Sequence, residues 1–172
     1  MTTKNSSPIY WSLLICEDWH IHIAATDDGL CFVGSQNHSF EELFTWAASR
    51  LPGRELVQHD QKLQPYADEL AAYLQGQLNQ FTLPMTYSGT PFQEAVWEAL
   101  REIPYGQTRS YSEIAEHIQN PAAVRAVGSA IGANPVLITV PCHRVISKNG
   151  ALAGYRGGAE MKTRLLELEQ HA

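Results

Sequence analysis

At 172 residues, with 44% apolar and 17% charged side chains, the sequence has the size and balance of one compact globular unit or two small ones. No apolar run approaches bilayer length, and the opening MTTKNSSPIY lacks the apolar segment and basic flank of a secretory signal, which predicts a cytoplasmic location without membrane attachment. The net charge of -6 lies in residues 1–89, with four basic side chains against ten acidic; residues 103–158 carry five basic against two, open to reading as a modestly basic surface or as ordinary solvated charge.

In chain order, WHIHIAA alternates Trp19, Ile21 and Ile23 with His20 and His22, and the turn signal DDG leads into LCFVG, which predicts a hairpin. SFEELFTWAASR predicts a helix, with Ser39 and Glu42 as a capping box and Phe40, Leu43, Phe44 and Ala47 on one face. PYADELAAYLQGQ repeats the helical spacing through Tyr66, Leu70, Tyr73 and Leu74, and Gly76 is placed to end it. The prolines and polar residues of FTLPMTYSGTP break the pattern, so residues 79–89 read as a linker between an N-terminal α/β domain, residues 1–78, and a mostly helical domain, residues 90–172. The fold class is therefore α/β, of the segregated α+β kind.

The second half opens with TPFQEAVWEALREI, capped by Thr90 with Gln93, started by Pro91, and striped by Phe92, Val96, Leu100 and Ile103. A short helix capped by Ser110 with Glu113 follows, then the turn QNP, then AAVRAVGSAIGA, which together outline a helix-turn-helix. On that last helix, steps of about 100° place Ala122, Gly128, Ser129 and Gly132 beside Arg125, with Val124, Val127 and Ile131 opposite. Small residues serve close helix packing; an arginine on a bare face also suits a nucleic-acid groove, with the long side chain pushed into the base stack.

Three widely spaced cysteines, Cys16, Cys31 and Cys142, read as reduced thiols rather than a disulfide framework. VLITV reads as a buried strand ended by Pro141, which would leave Cys142 at a strand end, open to solvent or substrate. A lone cysteine is ordinarily a small buried hydrophobe, but His143 and Arg144 can each favour the reactive thiolate. Neighbours on an extended chain point to opposite sides, so for His143 to act on Cys142 a bridging water, or a bend at Pro141, would be needed. On the final helix Glu169 falls about 40° from Leu165, inside the apolar arc, and a carboxylate there wants a partner; Glu167 points away.

PCHRV, preceded by GTPFQEAVW, RAVG and GSAIGANP and followed by NGALAGYRGG, resembles the O6-alkylguanine-DNA alkyltransferase family over residues 89–169. The resemblance implies repair of O6-methylguanine, and of related lesions such as O4-methylthymine, by irreversible transfer of the alkyl group to the protein's own cysteine. It makes Cys142 the acceptor, His143 the base, Glu169 the group that orients it, and Asn134 the brace of this network. It makes Tyr111 the residue that helps rotate the nucleotide and protonate guanine, and Arg125 the finger that fills the gap. Ala122, Ala126, Gly128 and Ser129 become minor-groove contacts on double-stranded DNA, Tyr155, Val145 and Arg156 the base pocket, and the protein a monomer acting once. Arg156 stands where some relatives place a serine, so no hydroxyl contact to the lesion oxygen is expected there.

The chemistry fits these roles independently: an alkyl carbon on oxygen needs a soft, deprotonated nucleophile, a donor for the departing ring, and an extruded base. A lesion sensor would share the groove helix without the cysteine, and a cysteine hydrolase would share the thiol, histidine and carboxylate but need an oxyanion hole and thiol release. Some family members hold a structural zinc in the first domain. Cys16, His20, His22 and Cys31 match no tight metal motif, and His20 with His22 is the polar side of a strand, so neither a metal nor any other cofactor is expected.

Overall fold

The computed structural model describes residues 7–149 and 155–171; residues 150–154 of the NGALAGYRGG stretch lie outside the described residues. The chain forms two compact units, residues 1–86 and 87–172. No helix among the described residues is long and apolar enough to cross a membrane.

In the first unit, β1 (Ile9–Cys16), β2 (Trp19–Thr26) and β3 (Gly29–Val33) run as an antiparallel meander, and β4 (Leu56–Gln58) joins the free side of β1 in parallel after α1 (Phe40–Arg50). The expected hairpin is β2 and β3. Trp19, Ile21 and Ile23 are buried and the intervening histidines half-exposed, as alternation requires. Gly29, at φ +139°, takes a conformation L residues avoid, and a Cβ there would lie 2.8 Å from the Pro84 carbonyl oxygen. That close approach lets Leu30 donate to Pro84 O and accept from the Thr86 amide, which lays residues 84–86 of the expected linker along β3.

Three helical expectations need correction. Ser39 caps α1 by accepting from the Glu41 amide, but Glu42 does not close the box: its carboxylate instead accepts from the Ser35 amide and hydroxyl. Leu43 and Ala47 are buried while Phe44 is 55% exposed, because only the Leu43 side of the helix faces the Ile9, Ala24 and Phe32 core. The next helix, α2 (Asp60–Leu74), begins five residues before the expected Pro65 and runs through that proline, whose missing amide deprives only the exposed, first-turn Gln61 of a donor. Gly76, at φ +76°, follows its end as expected.

The second unit is built on α3 (Pro91–Arg101), closed at its start by the expected reciprocal bonds of Thr90 and Gln93 at 3.0 and 3.1 Å. A two-residue parallel ladder pairs β5 (Arg109–Ser110) with β6 (Val145–Ile146). From β5 the chain enters α4 (Tyr111–His117), capped by Ser110 with Glu113, turns, and continues as α5 (Val124–Gly132). Buried Trp97 donates its indole N–H to Ala130 O at 2.9 Å and so fixes α5 against α3. Val124, expected opposite Arg125 in the core, is 37% exposed because the first turn of α5 projects; Ala130 is buried instead. A single 3-10 turn, Cys142–Arg144, precedes β6, and α6 (Ala159–His171) ends the unit.

The expected strand at VLITV does not form. All five residues are buried, but residues 136–140 bend through turns, with Ile138 at φ +71°. The Asn134 side chain replaces the ladder: Oδ1 accepts from the Val136 amide at 2.9 Å, and Nδ2 donates to Val140 O at 3.0 Å. A short, mostly apolar run is compatible with any buried backbone whose polar groups are satisfied, and here the Asn134 side chain and local turn bonds, Thr139 to Leu137 O and Val140 to Val136 O, supply that.

Candidate active site

Because the chain turns at Pro141, Cys142 lies at the start of a 3-10 helix and is buried, 1% exposed, rather than open at a strand end. Its Sγ accepts a hydrogen bond from Asn134 Nδ2 at 3.3 Å, so the same amide that orders the 134–140 turn also touches the sulfur. Burial pushes the Cys142 thiol up, while the Asn134 bond and then the Arg156 and Lys162 charges pull toward the thiolate. His143 and Arg144, the expected activators, are committed elsewhere.

Both meet Glu169, which α6 carries into the interior as its place in the apolar arc predicts; Glu167 is exposed. His143 Nε2 donates to Glu169 Oε2 at 2.7 Å, Arg144 Nε and Nη2 donate to the two carboxylate oxygens at 2.9 and 3.0 Å, and the Gly106 amide donates to Oε1 at 3.1 Å. Arg144 Nη1 also donates to Ile103 O at 2.7 Å. Four donors around one carboxylate lock the imidazole in place. Burial holds the His143 pKa below its ordinary value, the Glu169 bond opposes this, and the Arg144 and Lys162 charges add to the lowering, so the neutral ring is favoured.

Two members of this cluster were missed in the sequence. In sequence Arg144 reads as a companion of the thiol, and Lys162 carries no motif of its own. Lys162 is 1% exposed and donates from Nζ to Val145 O at 2.6 Å, just beyond the cysteine turn. It lies seven residues before Glu169, hence about 20° from it around the helix, so the signal that exposed Glu169 was present for it too.

The remaining candidates fall around this centre. Tyr111, at the start of α4, is half-buried; burial and then Cys142 hold its phenol proton more tightly. Its ring lies beside Gly128 of α5, where an added Cβ would sit 3.9 Å from it. Tyr155 and Val145 are buried. A Cβ on Gly157 would fall 2.7 Å from the Tyr155 ring and 2.5 Å from Met161 Sδ, so that ring is seated against a backbone only glycine allows. Ala122, Arg125, Ala126, Ser129 and Gly132 are exposed along one side of the helix-turn-helix, Ala122 just before α5 begins.

Close packing does not explain the two helix glycines: a Cβ at Gly128 would make only ordinary contact, and one at Gly132 would meet nothing within 4 Å. Gly128→Ala is therefore expected to raise the unfolding free energy by about 0.5–1 kcal/mol, measured by urea denaturation. A loss would show that the helix needs the glycine for its own packing.

The first unit supplies no comparable chemistry. Burial pushes the Cys31 thiol up to about 12, and burial followed by Glu17 and Asp18 raises that of Cys16. Among the described residues, no three or more His, Cys, Asp or Glu side chains gather as a metal site.

A sheet-bearing first unit followed by a helical unit with one polar-networked buried cysteine defines a protein class. The family model for the ribonuclease-like domain of 6-O-methylguanine DNA methyltransferase matches residues 9–87, and that for its DNA binding domain matches residues 91–171. The chain belongs to the 6-O-methylguanine DNA methyltransferase family. It is 65% identical over 168 residues to the inducible methylated-DNA--protein-cysteine methyltransferase of Bacillus subtilis, covering 98% of this chain and 94% of that protein. Its fold is similar to the crystal structure of Mycobacterium tuberculosis O6-methylguanine methyltransferase, with a TM-score of 0.82 at 37% identity over 95% of this chain and 93% of that one. It is also similar to Mycobacterium tuberculosis OGT in complex with DNA, with a TM-score of 0.81 at 38% identity over 94% and 93% of the two chains.

Proposed function

We propose that this protein repairs double-stranded DNA by moving the methyl group of O6-methylguanine, and of O4-methylthymine, onto its own Cys142 Sγ, once per molecule. The observation that carries this reading is the buried Asn134–Cys142 contact beside a His143–Glu169 pair. It provides a shielded sulfur, a neutral base and a fixed carboxylate.

With Nε2 held by Glu169, His143 Nδ1 takes the thiol proton through a water. The thiolate attacks the methyl carbon; a C–S bond forms as the C–O bond breaks, and the electron pair passes into guanine. Tyr111 helps turn the nucleotide out of the stack, at a cost of a few kcal/mol, and donates a proton to the departing ring; the phenolate regains a proton from solvent as the His143 imidazolium gives up the one taken from the thiol. The released base is ordinary guanine, and the thioether has no step that restores the thiol. The protein is spent.

The bare side of α5 lies in the minor groove in this reading, with Ala122, Ala126, Gly128 and Ser129 against the sugar–phosphate walls and Arg125 in the place of the extruded base. Tyr155, Val145 and Arg156 border the pocket that receives the base. A single copy of the chain suffices, since every group named comes from residues 87–172.

The test is intact-mass analysis after incubation with a duplex carrying O6-methylguanine. A gain of one CH2, mapped to Cys142 by peptide sequencing and limited to one per chain, is the expected result. Binding without mass change would make the protein a lesion sensor, and turnover of an ester or amide would make it a hydrolase; either outcome overturns the proposal.

A further inference from the structure

Arg156 lies in the turn before α6, and its guanidinium is engaged with the backbone behind the cysteine. Nε donates to Asn134 O at 3.1 Å and Nη2 to Pro135 O at 3.3 Å. Asn134 is the residue whose side chain donates to Cys142 Sγ, so the fork grips the main chain of the group that touches the sulfur. Among the charges favouring the thiolate, that of Arg156 has the largest effect, ahead of Lys162 from α6. The other ionisable groups around the sulfur are Tyr111 from α4, which Cys142 disfavours as an anion, and His143 and Arg144 on the cysteine's own turn, both bonded to Glu169.

We propose that Arg156 is a positioning residue for alkyl transfer: it holds the Asn134–Pro135 turn so that the amide stays on the sulfur, and it stations a positive charge within reach of the thiolate. A guanidinium can do both at once because its planar fork is directional while its charge is permanent. A serine in its place would do neither. The proposal rests on Cys142 being the alkyl acceptor.

The experiment uses the full chain with Arg156→Met and Arg156→Lys. Thiolate ultraviolet absorbance is titrated as a difference from the same background carrying Cys142→Ser, and the single-turnover rate on methylated duplex is followed against pH. Arg156→Met is expected to move the thiolate midpoint up by about one pH unit and slow transfer about tenfold near neutrality, the deficit closing as pH rises. Arg156→Lys, which keeps the charge without the fork, is expected to return most of the midpoint while transfer stays below wild type. If Arg156→Met leaves both the midpoint and the shape of the pH profile unchanged and alters only thermal stability, Arg156 is a structural staple and the proposal fails. It also fails if lysine recovers none of the midpoint. Absence of transfer by the wild-type chain would count against the acceptor reading, whereas the absorbance titration, which needs no DNA, would still decide the charge effect.

Discussion

Glu169→Ala is expected to lower the unfolding free energy by about 3–5 kcal/mol and to bring alkyl transfer close to zero. The carboxylate receives four donors: the imidazole, two guanidinium N–H groups and the Gly106 amide. Removing it takes the carboxylate from the buried Arg144 guanidinium, which keeps its bond to Ile103 O and its place over the Tyr105 ring, and removes the tether on His143 Nε2. The Gly106 loop is released from α6 on the same side, though Gln170 Nε2 still donates to Gly106 O at 3.1 Å. Urea denaturation and a single-turnover rate measure the two effects. Glu169→Gln should fall between wild type and alanine, since its carbonyl can still accept but its amide opposes other donors. A denaturation midpoint for Glu169→Ala equal to that of wild type would contradict the view that this carboxylate organises the unit.

The second large effect is expected from Asn134→Leu, which keeps the branched shape and the number of side-chain heavy atoms. The Val136 amide, in a buried turn, loses its side-chain acceptor, at about 1–3 kcal/mol for a group left unsatisfied, while the Val140 carbonyl loses one of two donors and keeps the Cys142 amide. The sulfur loses its donor as well. Asn134→Asp separates the two roles: its oxygen can still accept from Val136, but it can no longer donate to Val140 or Cys142 and it brings negative charge to the sulfur. Transfer by the aspartate variant should therefore fall further than its stability, and a thiolate titration should show its midpoint above that of wild type. Equal stability for Asn134→Leu and wild type would show that the turn does not depend on this amide.

Features governed by neighbours in sequence were legible before any coordinates. The Thr90–Gln93 and Ser110–Glu113 boxes, the β2–β3 hairpin and the inward turn of Glu169 follow from spacings of two to four residues and from helical periodicity. What could not be read depended on which of several competing partners a side chain takes, near or far along the chain. Arg144 looked like a thiolate neighbour because it is two residues from Cys142, yet its guanidinium is spent on a carboxylate 25 residues away. Glu42 fitted a capping box by spacing, but Ser35 offered it two donors. VLITV carries strand composition, yet its own turn bonds and the Asn134 side chain bend it instead. The cysteine's importance was thus visible in the sequence, whereas its burial and the source of its charge field were not.

With Cys142 as the proposed single-use acceptor, its burial bears on how long each molecule stays competent. A reagent consumed in stoichiometric amounts sets the cell's repair capacity by its copy number, and every sulfur lost to peroxide or a stray electrophile lowers that capacity as surely as a repaired lesion. A sulfur packed beneath protein atoms and kept as the thiol by its surroundings resists such wastage. Stored molecules would remain loaded until a damaged nucleotide itself opens the way.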